Sequence, residues 1–298
     1  MDWGRVITAM VTPFKADLTV DLDMAKRLAL HLIHNGSDSV VVFGTTGESP
    51  TLSEDEKIAL LEAVVEAIGT GRVIAGTGTN STSASIRMSK RAAASGAGTI
   101  MLVCPYYNKP GQEGLYRHFR AIAEEAGLPV ILYNIPGRTG VNLLPETVAR
   151  LALVPNVVAI KEASGVMDQV SAIKSATPRG FMVYSGDDSL TLPVMALGGH
   201  GVVSVASHVA GPQIRKMVDS FATGDVESAT ALHLSLFPLF KALFLSTNPV
   251  PVKKALGIIG LDCGPTRPPL EDLPAAHEQT LRSSLGGLGI TGPRTPVE

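Results

Sequence analysis

The sequence predicts an α/β protein, a (β/α)8 TIM barrel with a C-terminal helical extension, from three observations. Eight short apolar runs recur roughly 20–33 residues apart. Stretches with helical periodicity lie between them, and polar loops rich in Gly, Thr and Asn follow several of the runs. The eight runs are residues 7–11, 40–43, 73–75, 100–103, 130–132, 157–160, 181–183 and 202–205.

The runs are continuously apolar rather than alternating, which is typical of parallel strands covered on both faces. The intervening stretches have helical features. Met24, Leu28 and Leu32 lie at helical spacing, and Ser53 with Glu56 forms a capping-box pattern. An open doubly wound sheet shares this rhythm, but eight strand signals favour a closed barrel. The only glycine-rich candidate for a dinucleotide loop, at residues 76–81, lacks the third glycine of that motif.

The strand rhythm ends at Gly224, so we expect a catalytic barrel over residues 1–224 and an extension over 225–298. Within the extension, residues 225–245 and 250–259 have helical patterns, and Asn248-Pro249 opens the second of them. We read this region as an appendage of the barrel rather than an independent domain. Residues 286–298 are rich in Gly and Pro and are expected to fray.

Composition excludes several classes of function. A net charge of −2 without a basic stripe argues against a nucleic-acid partner. No apolar run approaches the about 18 residues of a membrane span, and no signal peptide is evident, so we expect a cytoplasmic location. Cys104 and Cys263 lack metal-ligand spacing and are interpreted as reduced thiols. The seven histidines contain no HExxH motif, and we predict no metal site.

In a barrel of this kind the reactive side chains lie at the carboxyl ends of the strands. Lys161 closes the sixth apolar run, where its amine can condense with a ketone to form an iminium. The alternative is a structural lysine paired with Glu162. Adjacent residues on a strand point to opposite faces, so Glu162 is poorly placed for that pairing.

Three further candidates lie at neighbouring strand ends. Tyr133 ends the fifth run and can shuttle protons, or can act as an aromatic anchor. The segment Gly44-Thr45-Thr46-Gly47-Glu48-Ser49 offers hydroxyl and backbone donors to a carboxylate, or forms only a tight turn. Arg138 suits bidentate carboxylate binding, although from its position alone a solvated surface arginine is the preferred alternative. Asp187 and Asp188 can bind a cation, but a helix-capping role is preferred.

Taken together, these segments resemble the dihydrodipicolinate synthase family, within the pyruvate-dependent class I aldolases and lyases. The resemblance covers residues 6–261 and depends on the order and barrel position of five motifs. They are Gly44-Thr45-Thr46-Gly47-Glu48-Ser49, Pro105-Tyr106-Tyr107-Asn108-Lys109-Pro110, Tyr133-Asn134-Ile135-Pro136-Gly137-Arg138-Thr139-Gly140, Ile160-Lys161-Glu162-Ala163-Ser164-Gly165 and Ser185-Gly186-Asp187-Asp188.

The resemblance implies condensation of pyruvate with L-aspartate-4-semialdehyde in diaminopimelate and lysine biosynthesis, without a metal or organic cofactor. Lys161 would form the Schiff base, and Tyr133, Thr45 and Tyr107 would relay protons. Tyr107 would come from the neighbouring subunit of a homotetramer built as a dimer of dimers. Thr45 and Thr46 would hold the pyruvate carboxylate. Arg138 would bind the aldehyde substrate, and Val203 would line the pocket through its backbone.

Two other functions stay open at this point. Relatives that share the lysine, the tyrosine and the threonine loop cleave N-acetylneuraminate or 2-keto-3-deoxy sugar acids. Arg138-Thr139 and the double tyrosine Tyr106-Tyr107 favour the synthase instead. A non-catalytic pyruvate-binding protein is the second alternative, and the intact set of catalytic residues argues against it.

The resemblance also bears on regulation. Many family members are inhibited by L-lysine bound at the dimer interface near Tyr106, Asn80 and Ser49. At positions where lysine-sensitive enzymes carry histidines and a glutamate, this sequence has Glu54, Lys57 and Ala84. Loss of a carboxylate at Ala84 and added positive charge at Lys57 predict weak or absent lysine inhibition.

Overall fold

The computed structural model describes residues 3–292 and contains a closed barrel of eight parallel strands, each paired with its neighbours in chain order. The (β/α)8 prediction is confirmed, and every predicted run coincides with a strand to within three residues at either end. The strands are β1 (Val6–Ala9), β2 (Ser39–Val42), β3 (Val73–Gly76), β4 (Thr99–Val103), β5 (Val130–Asn134), β6 (Val157–Glu162), β7 (Met182–Ser185) and β8 (Gly201–Ser204).

Helices surround the barrel and continue beyond it. They are α1 (Leu22–His34), α2 (Glu54–Ile68), α3 (Thr82–Ala94), α4 (Gln112–Ala126), α5 (Pro136–Thr139), α6 (Pro145–Leu151), α7 (Met167–Ala176), α8 (Thr191–Ala196), α9 (Ser207–Ala222), α10 (Val226–Ala242), α11 (Val250–Ile258) and α12 (Ala275–Gly287). None of the helices within residues 3–292 is both long and apolar enough to cross a bilayer.

The helix starts follow the local chemistry that the sequence predicts. At α2 the Ser53 hydroxyl accepts from the Glu56 backbone amide at 3.2 Å, and the Glu56 carboxylate accepts from the Ser53 amide at 2.8 Å. This confirms the capping box. A reciprocal cap of this kind satisfies two of the amides that a helix start leaves unpaired.

The apolar side chains form two layers. One cluster fills the barrel interior and includes Ile7, Val41, Ile74, Tyr133 and Val203. The other lies between the outer face of the strands and the helices. Side chains alternate between these layers along each strand, so the chain fixes which residues face the barrel mouth.

The extension packs on the barrel through that outer layer, since Leu236, Leu239 and Leu256 belong to the same cluster as the barrel helices. The predicted helices are present as α10 and α11. Sequence analysis missed α12, whose buried residues are Leu281 and Leu285. Of the tail expected to fray, residues up to Gly292 include a buried Ile290. The rest of that tail, residues 293–298, lies outside the described residues.

Candidate active site

Lys161 and Tyr133 lie side by side at the carboxyl ends of β6 and β5. The two residues are register partners across the strand pair. Lys161 Nζ lies 4.1 Å from the centroid of the Tyr133 ring, and the two side chains are 5% and 3% exposed. Sequence analysis expected both residues at this end of the barrel, and the structure places their side chains in contact.

Glu162 is not the partner of Lys161. Its carboxylate lies outside the barrel, where it accepts hydrogen bonds from Asn134 Nδ2 at 3.0 Å and Gln169 Nε2 at 3.0 Å. It also accepts from the backbone amide of Ser164 at 2.7 Å. Within residues 3–292 no carboxylate forms an ion pair with Lys161. The structural-lysine alternative therefore loses its proposed partner, and the amine stays available to a ligand.

A glycine in the Ser185-Gly186 turn keeps space beside Lys161. A Cβ atom at Gly186 would lie 2.5 Å from Ala163 Cβ and 3.2 Å from Lys161 Cε. Any larger side chain would therefore push against the lysine stem. In the sequence this glycine is visible only as part of the Ser185-Gly186-Asp187-Asp188 motif. Its role in leaving space for Lys161 depends on β6 and β7 being neighbours.

A cavity of about 510 Å³ opens beside the Lys161–Tyr133 pair. Its lining brings together Thr45, Tyr106, Tyr133 and Arg138, which come from three different strand-to-helix connections and one strand end. Four other predicted site residues do not line it: Lys161, Thr46, Val203 and Tyr107. Lys161, Thr46 and Val203 are buried, 5%, 2% and 1% exposed, and Lys161 contacts the ring of Tyr133, which does line the cavity.

The loop after β2 is tightly constrained. Phe43 and Glu48 have positive φ angles of 40° and 54°, which are uncommon for residues with a side chain. A Cβ atom at Gly47 would lie 2.9 Å from Phe43 Cα, so only glycine fits there. Such a backbone persists where surrounding contacts hold it in place.

The C-terminal extension supplies those contacts. Buried Glu48 forms an ion pair with buried Lys253 of α11, with Oε1 2.7 Å from Nζ. Burial lowers the pKa of Lys253, and Glu48 opposes that shift. The backbone amide of Arg267 donates to Glu48 Oε2 at 2.8 Å, and Asn248 Nδ2 donates to Thr46 Oγ1 at 2.8 Å. Sequence analysis assigned no function to these three residues of the extension.

Arg138 lies on the short helix α5, where Gly140 ends the turn with φ 74°. The residue is exposed and lines the cavity, and no carboxylate within residues 3–292 pairs with it. A free guanidinium at the mouth of a cavity is a suitable site for a substrate carboxylate.

Tyr107 is not part of the cavity in a single chain. Its side chain is 90% exposed, and its φ is 72°. The backbone of the neighbouring loop is anchored instead through Asn108, whose Nδ2 donates to the Asn80 carbonyl at 2.9 Å. This loop presents a tyrosine outward, away from its own barrel.

The two aspartates after β7 have structural roles. Asp187 accepts from the Ser189 amide at 2.8 Å and caps the 3₁₀ turn Asp188–Leu190, as the preferred interpretation predicts. Asp188 accepts instead from the amides of Val205 and Ala206, each at 2.9 Å, and burial raises its pKa. In the described part of the chain no group of three or more His, Cys, Asp or Glu side chains is placed to hold a metal ion.

Of the three residues linked to lysine inhibition, Glu54, Lys57 and Ala84, one lines the cavity. The Glu54 carboxylate pairs with Arg87 at 2.7 Å and with Arg91 at 3.0 Å. Lys57 lines the cavity, and burial lowers its pKa. Ala84 lies in the first turn of α3 and its side chain carries no charge.

Comparison with known proteins agrees with this geometry. Residues 2–287 match the dihydrodipicolinate synthetase family. A 4-hydroxy-tetrahydrodipicolinate synthase of Moorella thermoacetica is 57% identical over 97% of this chain and 100% of its own length. A relative of Thermosynechococcus vestitus with the same name is 55% identical over 97% of this chain and 98% of its own length.

Solved structures give the same result. A dihydrodipicolinate synthase from Cyanidioschyzon merolae with lysine bound is 51% identical, with a TM-score of 0.95 over 97% of this chain and 99% of that one. A chloride-inhibited enzyme from Acinetobacter baumannii in complex with pyruvate is 40% identical, with a TM-score of 0.94 over 97% and 100%. The resemblance inferred from the five motifs is confirmed: the chain belongs to the dihydrodipicolinate synthetase family.

Proposed function

We propose that this chain condenses pyruvate with L-aspartate-4-semialdehyde to give 4-hydroxy-tetrahydrodipicolinate, through a Schiff base on Lys161. The observation that carries the proposal is the buried Lys161 amine beside Tyr133, without a paired carboxylate, at the mouth of a barrel. The names of the relatives, and the pyruvate bound by the relative from Acinetobacter baumannii, point to the same chemistry.

The chemistry starts with attack of the Lys161 amine on the pyruvate ketone, with loss of water. The resulting iminium acidifies the methyl group, and loss of a proton gives an enamine. The enamine carbon attacks the aldehyde of the second substrate. That substrate's own amine then displaces Lys161 and closes the ring, a step favoured because the amine is held in the same molecule.

Hydroxyl groups carry the protons for these steps. Tyr133 contacts Lys161, and Thr45 lines the same cavity, so both are positioned to exchange protons with the reacting atoms. Tyr107 completes this relay from the neighbouring subunit. Its outward presentation, 90% exposed in a single chain, supports that assignment.

Carboxylate binding divides between two regions. Thr45 and Thr46 hold the pyruvate carboxylate, supported by the constrained loop that carries them. Arg138 holds the carboxylate of the aldehyde substrate, supported by its free guanidinium at the cavity mouth. Val203 contributes its backbone to the pocket, supported by its place in the barrel interior on β8.

The active form is a homotetramer, a dimer of dimers, in the cytoplasm. One interface brings in Tyr107. A second apolar surface lies across α7, α8 and α10, helices that contact one another in that order. It exposes Val166, Leu197, Leu234 and Phe237, which are 50%, 37%, 65% and 41% exposed. Sedimentation analysis measures the oligomeric state directly, and a monomer at assay concentration would contradict the proposal.

The cytoplasmic location is supported by the two buried free thiols, Cys104 and Cys263, which fit a reducing compartment.

Lysine inhibition of this chain is weak or absent. The relative from Cyanidioschyzon merolae binds lysine, so the family fold accommodates it. Here Lys57 brings positive charge to the cavity lining, and the arginines around Glu54 already occupy its carboxylate. A coupled assay with added L-lysine tests this, and complete inhibition at micromolar lysine would contradict it.

Trapping of the Schiff base tests the proposed function. The protein is incubated with pyruvate and sodium borohydride, digested, and examined by mass spectrometry, with Lys161→Ala as the control. We expect an adduct on the peptide that contains Lys161 and none in the variant. Absence of an adduct, or an adduct on another lysine, would exclude the mechanism.

The acceptor is tested separately. We expect condensation with L-aspartate-4-semialdehyde to be faster than cleavage of N-acetylneuraminate or 2-keto-3-deoxygluconate by the same preparation. Faster cleavage than condensation would replace the synthase assignment with a retro-aldol lyase.

A further inference from the structure

Asn248, in the C-terminal extension just before α11, reaches the active-site cavity from outside the barrel. Its side chain is 6% exposed and shares the cavity lining with Thr45 and Arg138. More than two hundred residues separate it from the loop that it contacts. The contact therefore joins two parts of the chain that the strand pattern treats as separate.

The contact determines how one hydroxyl group is used. Asn248 Nδ2 donates to Thr46 Oγ1 at 2.8 Å. A threonine hydroxyl has one hydrogen to donate and two lone pairs to accept with. Because the amide occupies a lone pair, the Thr46 hydrogen is directed elsewhere. Among the described residues Thr46 Oγ1 accepts this hydrogen bond and donates none, so its hydrogen stays available to a ligand.

The other half of the Asn248 amide is buried without a partner. Its Oδ1 atom makes no hydrogen bond in the described structure. A buried acceptor without a donor is costly, and an apolar side chain of the same shape would avoid that cost, so packing alone does not explain an asparagine at this position.

The loop around Thr46 is rigid enough for this orientation to matter. Glu48 holds its own strained backbone through the ion pair with Lys253 and the amide of Arg267. Thr46 is β-branched and 2% exposed, so its side chain has little freedom to choose another rotamer.

We propose that Asn248 is a positioning residue for pyruvate, which fixes the Thr46 hydroxyl as a donor toward the substrate carboxylate. This rests on the proposed function, in which Thr45 and Thr46 hold that carboxylate. The expected consequence is selective. Loss of the Asn248 donor weakens pyruvate binding and leaves the affinity for the aldehyde substrate, bound by Arg138, unchanged.

The test compares Asn248→Leu, Thr46→Val and the double variant with the unmodified protein. Asn248→Leu removes the amide without adding charge, and Thr46→Val removes the hydroxyl without changing the shape. Asn156→Leu is the control for loss of an asparagine amide away from the cavity. Asn156 Nδ2 donates to two backbone carbonyls, those of Ala123 and Leu128, each at 2.8 Å. The first readout is the pyruvate concentration that half-saturates borohydride trapping on Lys161. The second is the KM for each substrate.

We expect Asn248→Leu to raise the half-saturating pyruvate concentration roughly tenfold, because the hydroxyl that it orients donates to a charged carboxylate and such hydrogen bonds are the stronger ones. The double variant should show no further rise beyond Thr46→Val, because both changes remove the same donor. The Asn156→Leu control should lose thermal stability but keep its pyruvate dependence.

Two results would overturn the inference while leaving the proposed function intact. One is an unchanged pyruvate dependence in Asn248→Leu. The other is a tenfold rise that persists in full when Thr46 is already valine. Absence of any Lys161 adduct in the unmodified protein would instead overturn the proposed function, and the inference with it. Asn248→Ala repeats the measurement if the leucine variant does not fold.

Discussion

The loops after β2 and after β4 both contribute proposed catalytic hydroxyls, yet they are held in opposite ways. Residues 46–48 are buried and are bonded to the C-terminal extension. Residues 106–109 are exposed, and Asn108 anchors them by one hydrogen bond to the Asn80 carbonyl. In the proposed function, the half of the site that binds pyruvate is therefore held within one chain. The outer half is the part that we propose a neighbouring subunit completes.

The comparison predicts different consequences of substitution in the two loops. Changes in the first loop should affect stability and activity together, because its contacts belong to the folded core. Changes in the second should affect activity alone, because an exposed side chain contributes little to folding.

Glu48→Gln should have the largest effect on stability, because it leaves the Lys253 ammonium buried without its counter-charge. Breaking a buried ion pair on one side costs about 3–5 kcal/mol. We expect the free energy of unfolding, measured by urea denaturation, to fall by about that amount. Replacing Lys253 as well, in Glu48→Gln/Lys253→Met, should restore much of the loss.

The matched control is Glu54→Gln. Its carboxylate pairs with Arg87 and Arg91, whose side chains are 57% and 37% exposed. Exposed pairs contribute at most about 1 kcal/mol. Equal losses for Glu48→Gln and Glu54→Gln would show that the first loop is not held more firmly than the surface.

Tyr107→Phe should reduce kcat by about a hundredfold, the lower range for loss of a group that transfers protons. Its thermal stability should stay unchanged, because the hydroxyl of an exposed side chain makes no folding contact. Steady-state assays and a melting curve measure the two effects. A large change in stability would remove the contrast between the loops.

Complementation sharpens this prediction. Tyr107→Phe and Lys161→Ala are each expected to be nearly inactive. If Tyr107 serves the neighbouring subunit, a mixed dimer of the two variants contains one intact site, with Lys161 from one chain and Tyr107 from the other. Mixing and reassembly should therefore restore part of the activity. No recovery in verified mixed dimers would place Tyr107 in its own chain's site.

Sequence patterns predicted the barrel, and the neighbouring positions of Lys161 and Tyr133 within it, for a common physical reason. Continuous apolar runs report strands buried on both faces, and the barrel rule then places Lys161 and Tyr133 at neighbouring strand ends. Both the apolar runs and the residues that follow them are recognised from short segments of the sequence. By contrast, Asn248 contacts Thr46, and Lys253 pairs with Glu48, only because the chain returns to the barrel mouth after β8.

The helix α12 escaped prediction for a related reason. Its buried side chains are only Leu281 and Leu285, a single pair one turn apart, and two glycines end it. Such a short apolar stripe carries little periodicity, and the helix is stabilised mainly by packing on the rest of the extension. Position in the fold, rather than local pattern, determines this element.

The smallest effect concerns the outer attachment of the same extension, between Arg267 and Glu56. Arg267 Nη1 donates to Glu56 Oε2 at 3.0 Å, and hydrogen bonds from Arg267 lower the pKa of Glu56 from 4.5 to about 2. The carboxylate is therefore stabilised in the folded state. Its contribution is complete above pH 4.5 and is lost as the pH falls from about 4.5 to about 2.

Partial exposure of Glu56 reduces this contribution to about 1 kcal/mol. The measurement is urea denaturation of the unmodified protein and of Glu56→Gln at several pH values. The difference in unfolding free energy should be about 1 kcal/mol at pH 6 and should shrink toward pH 3. A difference that stays constant with pH would mean that the ionised form of Glu56 does not hold the extension. In that case, within residues 3–292, the buried Glu48–Lys253 pair would be the ion pair that links the extension to the barrel.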